Sequence, residues 1–212
     1  SELTVRQVGS EADEPLSDAL YDSAAVWLLG NAPGAYSTVT DDEDTLTLAW
    51  LENEQPELNQ EDLDLTDLVD TIAEDARYEY PEHHIRTELP EQAEIRGTSH
   101  RALAQAIENV VRNACKYTPA GGTVMIRLQE EAGGYRLSVE DDGPGVPAEQ
   151  LEAIFRPFFR ATRIRESVPS GHGLGLALAS RHLDAIGGRI RACNLAGNGG
   201  LAMHLWLPAV RM

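Results

Sequence analysis

Hydrophobic and polar positions change period several times along the chain, and each change predicts an element. "DLDLTDL" (62–68) predicts a short strand running into a helix that starts at Thr66 or Asp67. "LVDTIAEDARYEY" continues that helix, and Pro81 ends it. Two short strands follow, "HIRTEL" near 84–89 and "AEIRG" near 93–97, with Pro90 between them. Ser99 is placed to cap a long helix, "HRALAQAIENVVRNACKY", which "TPAGG" stops. Its apolar face carries Leu103, Ala106, Ile107, Val110, Val111 and Ala114. "TVMIRLQEE" and "YRLSVEDD" alternate apolar and polar residues on either side of "AGG", which predicts a β-hairpin. "PAEQLEAIF" predicts a short helix, and "RPFFRATRIRESVPS" an irregular basic loop. The glycine run at 171–175 opens a helix reaching Ile186, and "GGRIRACNLAGNGGLAMHLWLP" gives two closing strands. The order β-α-β-β-α-β-β-α-loop-α-β-β predicts an α+β protein. Its expected form is a two-layer sandwich, one mixed sheet with helices on one face.

The stretch before residue 62 divides in two. Residues 45–55, "TLTLAWLENEQ", read as the end of an amphipathic helix, and "PELNQEDL" as a linker. Residues 1–44 combine a weakly alternating "SELTVRQVG", a helix-like "DEPLSDALYDSAAVWLLG", a turn and an acidic break, and are left unassigned. The expected organisation is therefore 1–44 unassigned, 45–61 helix tail and linker, and 62–212 a folded domain.

Length and composition narrow the classes. The 212 residues suffice for one good core, and 42% apolar with 25% charged content fits a soluble globular chain. A formal charge of −18 argues against a nucleic-acid partner and against anionic membrane surfaces. The longest apolar run, "AAVWLLG", falls far short of the ~20 residues that span a bilayer. The acidic N-terminal stretch does not read as a signal peptide. Two cysteines, Cys115 and Cys193, lack metal-ligand spacing, so free thiols in a reducing cytoplasm are expected.

Four groups of residues carry candidate chemistry. Alternation puts Asp141 on the core face with Leu137 and Val139, and Asp142 on the other. A carboxylate there is expensive unless a donor meets it, and Gly143 and Gly145 open room beside it. It is a candidate to accept hydrogen bonds from a ligand, although "DDGPG" is also rich in turn formers. Asn109, Asn113 and Lys116 form one stripe of the long helix, within roughly 60° of one another at ~100° per residue. Amide oxygens ligate Mg²⁺ or orient water, and lysine meets phosphate; an exposed polar stripe is the alternative. Arg156, Arg160, Arg163 and Arg165 reverse the local charge in a very acidic chain, which would focus anions or pair with surface acids. Phe155, Phe158 and Phe159 would anchor one end of that loop as a lid. Gly171, Gly173 and Gly175 form a G-x-G-x-G run that matches neither the dinucleotide fingerprint nor the P-loop. Glycines feeding a helix start still offer free N–H groups to a polyphosphate. Together the four groups describe a Mg–nucleotide site.

At this point the sequence resembles the catalytic ATP-binding domain of bacterial two-component sensor histidine kinases, in the gyrase/Hsp90/histidine kinase/MutL superfamily. "ENVVRNACKYTP" resembles the N box, "EDDGPGV" the first glycine box, "FRPFFR" the F box and "GHGLGLALA" the second glycine box. "GNGGLAMHLWLP" looks like the closing strands, and the resemblance covers about residues 45–212, with an envelope-stress-sensor flavour. It implies a Bergerat-type fold and the cofactors ATP and Mg²⁺. By the resemblance, Asp141 accepts from the adenine amino group, and Gly143 and Gly145 admit the purine. Asn113 holds Mg²⁺, with Asn109 nearby at the phosphates or a bound water. Lys116 and Tyr117 contact phosphate and ribose, and Arg160 approaches the γ-phosphate. Gly171, Gly173, Leu174, Gly175 and Leu176 line the phosphate side.

The same resemblance implies a homodimer in the full-length setting, a histidine-containing dimerisation hairpin as phosphoryl acceptor, and a response regulator as partner. None of the six histidines stands in the family's H-E-x-x-[ST]-P acceptor context, so the acceptor histidine is expected outside this chain. Three alternatives stand beside a phosphoryl donor: a nucleotide-binding regulatory module without transfer, an ATPase clamp, and an anti-sigma serine kinase of the same superfamily. The clamp would need a glutamate base where this chain has Asn109. Glu108 is adjacent but ~100° away around the helix.

Overall fold

The computed structural model describes residues 60–161, 173–196 and 199–210. The expectations for residues 1–44 and for the helix tail at 45–55 lie outside the described residues. So do those for Arg163, Arg165 and Gly171.

The first strand, β1 (Glu61–Asp64), runs directly into helix α1 (Leu65–Glu79). The helix starts at Leu65 rather than at Thr66 or Asp67, because Asp64 is its cap. The Asp64 carboxylate accepts from the backbone N–H of Thr66 at 2.9 Å and from that of Ala93 at 3.0 Å. One side chain thus starts the helix and ties it to the next connection. Strands β2 (His84–Glu88) and β3 (Glu94–Thr98) come next. Helix α2 (His100–Tyr117) follows, with the Ser99 hydroxyl accepting from Ala102 N–H at 3.3 Å. Ser99→Ala is expected to cost about 1 kcal/mol, read as a shifted midpoint with an unchanged slope in urea.

The remaining strands are β4 (Thr123–Glu131), β5 (Gly134–Asp141), β6 (Arg189–Asn194) and β7 (Leu201–Pro208), with helix α3 (Gly175–Ala185) before β6. Five strands form a mixed sheet in the order β2-β4-β5-β7-β6, in which only the β2–β4 pairing is parallel. The sheet is not the whole of the β structure, as the sequence pattern suggested. β1 and β3 pair antiparallel as a separate two-stranded arm. "PAEQLEAIF" is not one helix but two 3₁₀ turns, Ala148–Gln150 and Ala153–Phe155. Its apolar residues Leu151 and Ile154 are three apart, which suits the tighter winding.

Register fixes one inner sheet face. Ile126, Val139 and Met203 lie side by side across β4, β5 and β7, and all are buried. Leu65, Val69, Ile72 and Ala73 of α1, the apolar face of α2, and Ala179 and Leu183 of α3 complete the same core. The outer face carries Arg127, Ser138, His204 and Arg191 in one row. Arg127 there bridges Glu88 at 2.7 Å and Glu140 at 2.8 Å. The layers are those of an α+β sandwich, and α2 is its middle helix, packed against both α1 and α3. Among the described residues, no helix is long and apolar enough to cross a membrane.

Candidate functional site

α2 organises the candidate site. Asn109, Asn113, Lys116 and Tyr117 are all half-buried, between the buried apolar face and the exposed face of His100, Arg101, Glu108 and Arg112. They are therefore a boundary stripe, not a freely solvated one. Near its start, the Asn109 carboxamide faces Gly175, the first residue of α3. A Cβ on Gly175 would sit 3.5 Å from Asn109 Oδ1. At its end, the Tyr117 carbonyl faces Gly143, where a Cβ would sit 3.0 Å away. Eight residues of helix separate the two contacts, about 12 Å at 1.5 Å per residue. The stripe thus joins the Asp141 loop to the start of α3 by a path on the scale of an extended nucleoside polyphosphate.

At the first end, Asp141 is 4% exposed. Its Oδ1 accepts from Gly143 N–H at 2.8 Å and from Leu201 N–H at 3.3 Å. Among the described residues Oδ2 receives no hydrogen bond, so one lone-pair-bearing oxygen is left for an incoming donor. Burial pushes the carboxyl up to about 6, although the two N–H bonds pull the other way and Asp142 adds a smaller upward push. Asp142 points elsewhere, accepting from Thr123 N–H at 2.7 Å.

The loop after Asp141 is shaped by what cannot fit. A Cβ on Gly143 would come within 2.6 Å of the Asp141 carboxylate. Gly145 has φ +67 and a Cβ there would meet Asn194 Oδ1 at 2.8 Å. Asn194 is the residue that sequence reasoning missed. Its Oδ1 accepts from Val146 N–H at 2.9 Å and its Nδ2 donates to the Val146 carbonyl at 2.6 Å. This two-point clamp holds the glycine loop to the end of β6. Nothing local marks it, because either asparagine of "CNLAGNGG" reads as a turn former.

The second end is the start of α3. Leu174 stands at its cap, buried, with no side-chain hydrogen bond to the first turn. The leading N–H groups thus lack a side-chain partner and carry the positive end of the helix dipole. Leu176 packs against the core. Gly173, at φ +75, is held against the F-box segment: its carbonyl accepts from Phe158 N–H at 3.0 Å. Phe158 itself has φ 60, the only non-glycine in that region among the described residues. Arg160 lies close enough to Lys116 for the two like charges to interact. The Lys116 ammonium is pushed below its usual range, by burial first and by Arg160 second. Burial raises the Tyr117 phenol, partly offset by the same arginine, and Lys116 lies 5.8 Å from the centre of the Tyr117 ring. Two cations held together in this way suit a polyanion.

Glu108 goes the other way. With Asp75, Glu79, Tyr80 and Arg112 it lines a separate groove between α1 and α2. It is not beside Asn109's partner Gly175, which weighs against a clamp-type general base. No cluster of three or more His, Cys, Asp or Glu that would hold a metal occurs among the described residues.

Residues 98–211 match the family model described as Histidine kinase-, DNA gyrase B-, and HSP90-like ATPase, and the chain belongs to that family. Its relatives are sensor kinases. It is 40% identical over 168 residues to the sensor protein PfeS of Pseudomonas aeruginosa, a match covering 79% of this chain and 36% of that one. The solved mycobacterial sensor histidine kinase MprB is 31% identical, with a TM-score of 0.63 over 72% of this chain and 99% of that one. Full-length ShkA, solved in complex with AMPPNP, is 28% identical with a TM-score of 0.65, covering 78% and 35% respectively. The chain spans about a third of the length of the curated relatives it matches first.

Proposed function

We propose that this chain binds Mg–ATP and is the phosphoryl-donor domain of a sensor histidine kinase. It passes the γ-phosphate to a histidine on a helical hairpin, from which a response regulator takes it. Residues 62–212 are the donor domain, and residues 45–61 are the tail of the hairpin and its linker. The parent protein is a homodimer whose kinase portion works in the cytoplasm. One observation carries this reading: Asp141, whose hydrogen bonds both go to Oδ1 and leave Oδ2 for a ligand, and the start of α3, which has no side-chain cap, lie at the two ends of one polar stripe of α2. The nucleotide complex of ShkA, a structural relative, supports it.

The residues suit the ligand. Asp141 receives the adenine amino group, and Gly143 and Gly145 admit the purine, since a side chain at either would displace the Asp141 carboxylate or the Asn194 clamp. Lys116 and Tyr117 meet phosphate and ribose, and Arg160 the γ-phosphate. The N–H groups at Gly173, Leu174, Gly175 and Leu176 meet the remaining phosphate oxygens, and Gly171 is assigned to the same phosphate contact by the sequence resemblance alone. Asn113 offers its amide oxygen to Mg²⁺ and Asn109 steadies a phosphate or water. Magnesium with one protein ligand keeps its other positions for phosphate and water, which suits a site without a carboxylate cage. When bound, the ion neutralises charge on the transferring group. Transfer of this kind needs positioning and charge neutralisation more than covalent help.

The test uses ATP labelled on the γ-phosphate, Mg²⁺, this chain and an isolated histidine-containing hairpin domain. The expected result is acid-labile label on the hairpin, none on this chain alone, and none when Mg²⁺ is chelated. Tight ATP binding with no label on the hairpin would make the chain a nucleotide-switched regulatory module instead.

A further inference from the structure

The outer face of the sheet carries a cluster that the nucleotide site does not use. Cys193 on β6, His204 on β7 and Ser138 on β5 lie on three adjacent strands. His204 pairs with Ser138 in register, and Cys193 pairs with Ala202, two positions along β7 from His204 and on the same face. The Cys193 sulfur is 3.5 Å from His204 Nε2, and His204 Nδ1 is 2.9 Å from the Ser138 hydroxyl. Cys193 is exposed and His204 and Ser138 are largely covered. This is a nucleophile within reach of a base whose ring is fixed by a third group, the arrangement that activates thiols. The cations on the same face, Arg191 opposite His204 and Arg189 over the Trp206 ring, add positive charge, and Glu140 in the row beyond Ala202 is engaged by Arg127. The other cysteine provides the contrast. Cys115 is 1% exposed in the core, and burial pushes its thiol up to about 11.

We propose that Cys193 is a reactive-thiol modification site that takes small disulfides of the glutathione type. His204 Nε2 accepts the Cys193 proton, and the thiolate attacks one sulfur of the disulfide. The new S–S bond forms as the old one breaks, and the leaving thiolate recovers the proton from His204. Cys193 is oxidised to a mixed disulfide while half of the small disulfide is reduced to thiol. The adduct forms on the residue next to Asn194, whose amide clamps the glycine loop at Val146.

The full chain is incubated with oxidised glutathione at neutral pH, and adduct formation is followed by intact mass with peptide mapping. The expected outcome is one adduct, on Cys193, absent in Cys193→Ser. His204→Gln should slow the reaction by about tenfold or more, and Ser138→Ala by less. A synthetic peptide of residues 189–196 gives a comparison that does not depend on any variant folding. The folded chain should react faster than that peptide. Equal rates for chain and peptide, or a His204→Gln variant that folds and reacts at the wild-type rate, would overturn the proposal.

Discussion

Asp141→Asn is expected to weaken ATP binding by about 10- to 100-fold while leaving the chain folded. A hydrogen bond to a charged group contributes about 1.5–3 kcal/mol, and each ~1.4 kcal/mol is tenfold in affinity. The amide oxygen can still accept from Gly143 and Leu201, so the loop keeps its anchor. What changes is the second atom, which becomes a donor facing another donor. The same substitution has a signature without ligand. The carboxyl titrates near 6 in the folded chain against an ordinary 3.8. The folded state therefore binds this proton more tightly than the unfolded one. Stability from this group is fully present below pH ~4 and is lost as pH rises through ~6. A shift of about two units corresponds to about 3 kcal/mol. Urea unfolding at intervals from pH 4 to 7 should show the wild type losing stability relative to Asp141→Asn by an amount of that order. ATP affinity of the wild type should run the opposite way, falling as pH drops below about 6, because binding uses the ionised carboxylate. Parallel stability curves for the two proteins would rule out a buried, poorly solvated carboxylate at this position.

Gly200→Ala is expected to be strongly damaging, through both strain and collision. Gly200 has φ +107, and a Cβ there would run into the backbone carbonyl of Asp141, with the Leu195 side chain 3.1 Å away on the other side. Neither the backbone of β5 nor the turn can yield without moving Leu201 N–H off the Asp141 carboxylate. A cost of about 2–4 kcal/mol follows from strain plus overlap, together with loss of ATP binding. Gly97→Ala is the matched control. Gly97 also has positive φ, +65, but a Cβ there would meet nothing within 4 Å. It should cost only about 1 kcal/mol and leave binding intact. Denaturation midpoints and ATP titration on the two variants separate strain from collision. Equal losses would mean that the contact with Asp141 is unimportant.

Much of the site was legible because it rests on short-range periodicity. Alternation along β5 put Asp141 inward, and its neighbour Asp142 duly turns to Thr123. The 3.6-residue period put Asn109, Asn113 and Lys116 on one flank of α2, where the structure finds them half-buried. Elements that depend on distant partners were not legible. β1 and β3 are short and carry no clean alternation, so nothing in "EDLD" or "EIRGT" announces that they leave the main sheet and pair with each other. The parallel β2–β4 pairing is likewise a non-local choice. Asn194 holds the glycine loop from 48 residues away, and only folded proximity distinguishes it from a turn residue.

The bond from Phe158 N–H to the Gly173 carbonyl closes the chain on itself at the foot of the arginine-bearing stretch. A loop tied at both ends is anchored independently of what it contains. Doubling the length between two such anchors costs only ~0.6 kcal/mol of closure entropy. The stretch between these two residues is therefore a natural place for variation in length and charge, at little cost to the sandwich that carries its anchors.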